Sequence, residues 1–108
     1  MTPTPTDWAL FRKKLPGWQK AYMEQLLQQY MNILKCDRSP EDKFWTLEKR
    51  LRRDRQSPGV ILEISRSRME LNLIALINDQ VISLDDLKDF SDELRERIAI
   101  ITRNLYQD

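Results

Sequence analysis

Residues 18–36 read WQKAYMEQLLQQYMNILKC, and this stretch decides the fold. Advancing about 100° per residue puts Tyr22, Met23, Leu26, Leu27, Tyr30, Met31, Ile33 and Leu34 on one half of a helical wheel. Glu24, Gln25, Gln28, Gln29, Asn32 and Lys35 take the other half. An apolar arc this wide belongs to a helix that touches two or more neighbours, not to a single coiled-coil seam. The two tyrosines on the arc need partners for their hydroxyls wherever they are buried.

Upstream, Asp7 is a plausible N-cap, and Trp8, Phe11 and Leu15 recur at helical spacing. Pro16-Gly17 predicts a stop, because proline disfavours the α conformation at Leu15 and glycine supplies a turn. The Thr-Pro tract 1–6 is expected to be disordered, leaving 7–108 as one domain. Downstream, Ser39-Pro40-Glu41-Asp42 is a cap followed by proline at the first helical position. Phe44, Leu47 and Leu51 then form a narrow stripe with Trp45 beside it. Ser57-Pro58-Gly59 predicts a second restart, with Val60, Ile61, Ile64 and Leu71 on one face. From Met69 to Ile77 the apolar residues run nearly all round the helix. Asn78-Asp79 ends it, and Val81-Ile82 reads as a short extended bridge. Ser83-Leu84-Asp85-Asp86 offers another capping box, before Leu87, Phe90, Leu94, Ile98, Ile101 and Leu105 step by three or four, with Ser91 able to split the segment.

Composition agrees with helices. Two glycines in 108 residues are too few for the turns of a sandwich or barrel. The expectation is an all-α, compact bundle of four to five helices. Its predicted core comprises Tyr22, Leu26, Tyr30, Ile33, Phe44, Leu51, Ile64, Leu71, Ile74, Leu94, Ile98 and Ile101. The apolar runs 73–77 and 98–101 are far shorter than the ~20 residues of a membrane span. With a single cysteine and no signal-like N-terminal pattern, the expected location is the cytoplasm.

The chain carries a net charge of +1, unevenly spread: residues 1–58 hold 12 Lys+Arg against 7 Asp+Glu (+5), and residues 59–108 hold 6 against 10 (−4). Such asymmetry suits either a basic face for an acidic partner or attraction between the two halves.

Catalytic chemistry finds little to work with. The absence of histidine removes the commonest general base and every histidine-based triad. Cys36 has Lys35 and Arg38 nearby but no base to activate it. Asp85, Asp86, Asp89, Asp92, Glu93 and Glu96 suggest a metal, yet acids belong in first helical turns, and Glu93 suits Arg97 as an i,i+4 pair. A calcium loop ending at Asp86 fails, because Ala75 and Ile77 fall where carboxylates are required and Gln80 where glycine belongs. No cofactor, metal or small-molecule substrate is implied, and an enzyme is not expected.

Two binding readings remain. Lys49, Arg50, Arg52, Arg53 and Arg55, with Arg66 and Arg68, could follow a phosphate backbone. Against that, Glu48–Arg52 and Arg50–Asp54 are good intrahelical pairs, and the cations surround the helix instead of lining one face. The all-round apolar helix instead predicts self-association through Met69, Leu73, Leu76 and Ile77. The leading expectation is a non-enzymatic protein-interaction or regulatory module, forming a homodimer or binding a protein partner. The alternative is a nucleic-acid-binding regulator.

The segments Trp8 and Phe11, Pro16-Gly17-Trp18, Phe44-Trp45-x-Leu47-Glu48-Lys49-Arg50, Pro58-Gly59-Val60 and Val81-Ile82 through Phe90-Ser91-x-Glu93-Leu94 together resemble small uncharacterised helical proteins of Gram-positive bacteria. That resemblance implies a bacterial, cytoplasmic, all-helical protein and assigns no role to any residue.

Overall fold

Thr4 opens the first helix. Its Oγ1 accepts from the Asp7 amide at 3.1 Å, and Pro5 occupies the first helical position, where its missing N–H costs nothing. The computed structural model describes residues 4–106, among which all regular structure is helical: α1 (Pro5–Lys35), α2 (Pro40–Asp54), α3 (Met69–Asn78) and α4 (Asp92–Tyr106), with 3-10 turns at Arg66–Arg68 and Leu84–Leu87. Of the tract expected to be disordered, residues 4–6 form the cap and first turn of α1, and residues 1–3 lie outside the described residues. Asp7 is not the cap but a buried residue of the first turn.

The predicted break at Pro16-Gly17 does not occur, and α1 runs unbroken for 31 residues with Pro16 inside it. An interior proline costs a helix about 3 kcal/mol, so packing must favour continuity. Phe11 and Leu15 are fully buried on the near side of Pro16. Trp18 on the far side lies 6.5 Å from the Phe11 ring and 6.4 Å from Phe90. Phe11 and Trp18 are two turns apart on one face. Burying Phe11 contributes roughly 1.5–3 kcal/mol, the partly buried Trp18 adds to it, and a break between them would separate them.

The core joins the N-terminal half of α1 to α3, α4 and the turns between them: Phe11, Leu15, Met69, Leu73, Leu76, Ile82, Leu87, Phe90, Leu94 and Ile98. Asp7 fastens the two ends of this unit. Its carboxylate accepts from the Ser91 amide at 3.0 Å and the Ser91 hydroxyl at 2.6 Å, just where α4 begins. Ser91 does split the C-terminal segment, with the 3-10 turn before it, and Asp86 reaches back to the Ser83 amide at 2.8 Å as its capping box requires.

Ser57-Pro58-Gly59 starts no helix. The chain turns there, remains irregular to residue 65, and becomes α-helical only at Met69. Tertiary contacts hold it: Ser57 Oγ donates to Asp79, Gln19 Nε2 donates to the Pro58 carbonyl at 3.0 Å, and Asn72 Nδ2 donates to the Glu63 carbonyl at 3.2 Å. α3 ends in a Schellman motif, in which Val81 N bonds Leu76 O at 2.9 Å and Gln80 N bonds Ile77 O at 3.0 Å. Gln80 supplies the left-handed residue, at φ 61°.

The C-terminal half of α1 and the whole of α2 extend from this unit as a helical arm. The extents are 52 × 33 × 20 Å and the radius of gyration 16.6 Å, against about 13 Å for a compact domain of this length. The fold is thus all-α but longer than a compact bundle. Five of the twelve expected core residues are not in the core. Leu26, Tyr30, Ile74, Leu94 and Ile98 are buried and Tyr22 and Ile33 partly so, whereas Phe44, Leu51, Ile64, Leu71 and Ile101 are exposed.

Candidate interaction surface

Ser39 makes α2 possible by accepting from the Asp42 amide at 3.2 Å, so the chain reverses over residues 36–39 and α2 packs back along α1. Two α1 side chains become buried there, Leu26 and Tyr30. The Tyr30 hydroxyl donates to Asp54 Oδ2 at 2.7 Å. Around that bond, Arg53 Nε donates to Asp54 Oδ1 at 3.1 Å, and Arg50 Nε lies 3.5 Å from Asp54 Oδ2. The Arg50 guanidinium also stands 5.8 Å over the Tyr30 ring and bonds Gln29 of α1.

Burial, the hydrogen bond to Asp54 and the Asp54 charge push the Tyr30 phenol up to about 12. For Asp54 the largest influence is burial, which alone would raise its carboxyl. The bonds from Tyr30 and Arg53 and the charges of Arg50 and Arg53 outweigh it and hold the group below the usual carboxylate range. This polar cluster is a clasp between two helices.

Beside the clasp the arm is apolar and open. Met23, Leu26, Leu27, Tyr30, Leu51 and Val60 line a groove of about 200 Å³, with Asp54 and Arg55 at its edge. The stripes bordering it continue away from the body. On α1, Leu27 is followed by Met31 and Leu34, both about half exposed. On α2, Leu51 shares its stripe with Leu47 and with Phe44, which is 63% exposed. Trp45, 64% exposed, meets Phe44 edge-to-face with ring centroids 5.1 Å apart. Taking roughly 150–250 Å² for each large side chain, the exposed surface of Met23, Leu27, Met31, Leu34, Phe44, Trp45 and Leu51, summed over the two helices, is on the order of 700 Å².

The residues expected to self-associate lie elsewhere. Met69, Leu73, Leu76 and Ile77 are all buried in the chain's own core, so they offer no surface to a second copy. α3 is apolar on most of its surface because it packs on α4 and shares a core with Phe11 and Leu15 of α1, and only its Leu71 among the large apolar residues faces outward. Of the basic residues, Arg52 pairs with Glu48, and Arg50 and Arg53 pair with Asp54; Lys49, Arg52, Arg53, Arg55, Arg66 and Arg68 are all exposed.

The acidic run is likewise distributed. Asp89 meets Lys14 at 3.2 Å, Asp92 pairs with Arg95, and Asp86 serves Ser83. Arg97 does not pair with Glu93 in the first instance. It reaches Glu70 of α3 at 3.1 and 3.3 Å, and that bond raises its pKa further. Among the described residues no three His, Cys, Asp or Glu side chains come together as metal ligands. Cys36 is partly buried and its thiol donates to the Ile33 carbonyl at 3.0 Å.

A second hollow of about 660 Å³ lies at the far end of the body, lined by Ile77, Val81, Ile82, Leu84, Ala99 and Thr102 among others. Its only buried hydroxyl among the described residues, that of Thr102, is bonded to Ile98 O at 2.8 Å. Among the described residues no helix is long and apolar enough to cross a membrane. No family model matches the chain, and no curated protein or solved structure matches it.

Proposed function

We propose that this chain is a protein-interaction module whose working surface is the open apolar face of the α1–α2 arm. The observation that carries this reading is the set of exposed apolar side chains on the two helices of the arm, Met23, Leu27, Met31, Leu34, Leu51, Phe44 and Trp45. Exposed methionines adapt to differently shaped partners, and aromatic residues are enriched where interfaces bury most deeply. The clasp at Asp54 supplies rigidity, since it holds two helices at fixed spacing and so preforms the groove. An amphipathic helix is the shape that such a groove accepts.

The test is site-specific photo-crosslinking inside cells. A photoreactive phenylalanine at position 44 should capture protein, and the same probe at Glu24, on the polar face of α1, should not. Equal capture from both positions, or none from position 44, counts against the reading.

The basic residues support a second reading less well. Nucleic-acid binding would draw on Lys49, Arg50, Arg52, Arg53, Arg55, Arg66 and Arg68, of which Arg50, Arg52 and Arg53 are paired with acids within α2. Anisotropy of labelled DNA and RNA separates the two readings. Binding that weakens steeply with salt favours nucleic acid, and silence favours a protein.

A further inference from the structure

Building on the interaction reading, we infer that the occupant of the arm's apolar face is a second copy of this chain, with the two arms packed end for end into a four-helix bundle. Spacing is the first ground. Phe44, Leu47 and Leu51 step by three and four along α2, and the exposed Met23, Leu27, Met31 and Leu34 step by four, four and three along α1. That spacing is the seam pattern of helices crossing at small angles in coiled coils and four-helix bundles.

Area is the second ground. About 700 Å² of open apolar surface on each copy gives on the order of 1,400 Å² when two faces meet, within the roughly 1,200–2,000 Å² of a specific, stable interface.

Charge selects a second copy over an unrelated helix. A two-fold interface must be complementary to itself. α2 carries Glu41 and Asp42 in its first turn and Arg52 and Arg53 in its last, with Arg55 just beyond. Reversed end for end, the acids of one α2 lie beside the cations of the other, and symmetry makes the contact twice. Glu41 and Arg55 are about 21 Å apart along the helix axis, so a two-fold axis near residue 48 brings each against its opposite. Arg55 is exposed and borders the groove, and Glu41 is exposed in the first turn.

Sedimentation equilibrium of the full chain, from low micromolar to hundreds of micromolar, tests this. The expected species has twice the 13.0 kDa chain mass. Leu27→Glu and Phe44→Glu, both at exposed positions, should return it to a monomer with unchanged helical circular dichroism. Glu41→Arg and Arg55→Glu should each raise the dimer Kd about 10–100-fold, since each creates two like-charge contacts, and the double variant should restore it to within about threefold. A chain that stays monomeric throughout overturns the inference, as does a dimer that survives Leu27→Glu and Phe44→Glu. Single charge reversals without effect, or a double variant without rescue, overturn the end-for-end arrangement. A monomer whose position-44 probe still captures a different protein in cells removes only the second copy and leaves the interaction reading standing.

Discussion

The Tyr30 hydroxyl and the Asp54 carboxylate, 24 residues apart in sequence, meet at 2.7 Å between α1 and the last residue of α2. This bond closes an arm that is otherwise held by little buried apolar surface, with Leu26 and Tyr30 its only buried large apolar residues among the described residues. A hydrogen bond to a charged group is worth about 1.5–3 kcal/mol, and a buried acid stripped of its donors is worse than neither partner present.

Tyr30→Phe should therefore destabilise the chain by about 1–2 kcal/mol and Asp54→Ala by about 2–3 kcal/mol, since the latter also leaves Arg50 without its acid. In urea titrations the double variant should cost less than the sum of the two. Strict additivity would mean that the two residues act independently.

The same pair makes a pH prediction. The Tyr30 phenol is raised from 10.0 to about 12, so its contribution to stability is complete below pH 10 and is lost as pH rises toward 12. Asp54 works oppositely: its folded pKa is depressed, so its contribution is present above its unfolded value and disappears as pH falls through the lower folded one. Phenolate absorbance of the native chain should include a component that titrates near 12, and Tyr30→Phe should remove it.

Asp7 and Lys14 provide a contrast between two acid contacts that tie α1 to the region around α4. Asp7 is buried with both oxygens engaged by Ser91, and Asp7→Ala should cost about 2 kcal/mol. The Lys14–Asp89 pair is solvent-exposed at its acid, and Lys14→Ala should change stability by under about 1 kcal/mol. Equal shifts in thermal midpoint would contradict the assignment of Asp7 as a structural cap for Ser91.

The two glycines should respond in opposite directions to alanine. A Cβ at Gly59 would stand 2.3 and 2.7 Å from the Tyr22 ring and 2.8 Å from Val81, so Gly59→Ala should destabilise by about 1–3 kcal/mol through overpacking. A Cβ at Gly17 meets nothing within 4 Å, and Gly17 lies inside α1, so Gly17→Ala should stabilise by about 0.5–1 kcal/mol. If the chain broke at Pro16-Gly17, that gain would vanish, which makes thermal unfolding of Gly17→Ala a direct check on the unbroken helix.

Gln80 completes the set. It holds the left-handed position that ends α3, where a side chain costs roughly 1 kcal/mol relative to glycine. Gln80→Gly should raise the thermal midpoint, and a fall would place the Gln80 side chain in an essential contact.

Local signals that satisfy themselves locally were legible in the sequence. Ser39 before Pro40, Ser83 with Asp86, the stop after Asn78 and the interruption at Ser91 concern groups within a turn of one another, and each reappears in the structure. The helical class followed from periodicity and scarce glycine for the same reason. What tertiary structure decided was which apolar faces are covered. Periodicity assigns Phe44, Leu51 and Met69 alike to apolar faces, but only packing buries Met69 and leaves Phe44 and Leu51 open. Pro16 reads as a stop because propensity is local, whereas the packing of Phe11 and Trp18 across it is not. Ser57-Pro58-Gly59 read as a start because its cap logic is sound, yet Tyr22 and Val81 close on Gly59 and Asp79 engages Ser57 from distant parts of the chain. Sequence fixes what each residue prefers; contacts between residues far apart in the chain determine which preferences are met.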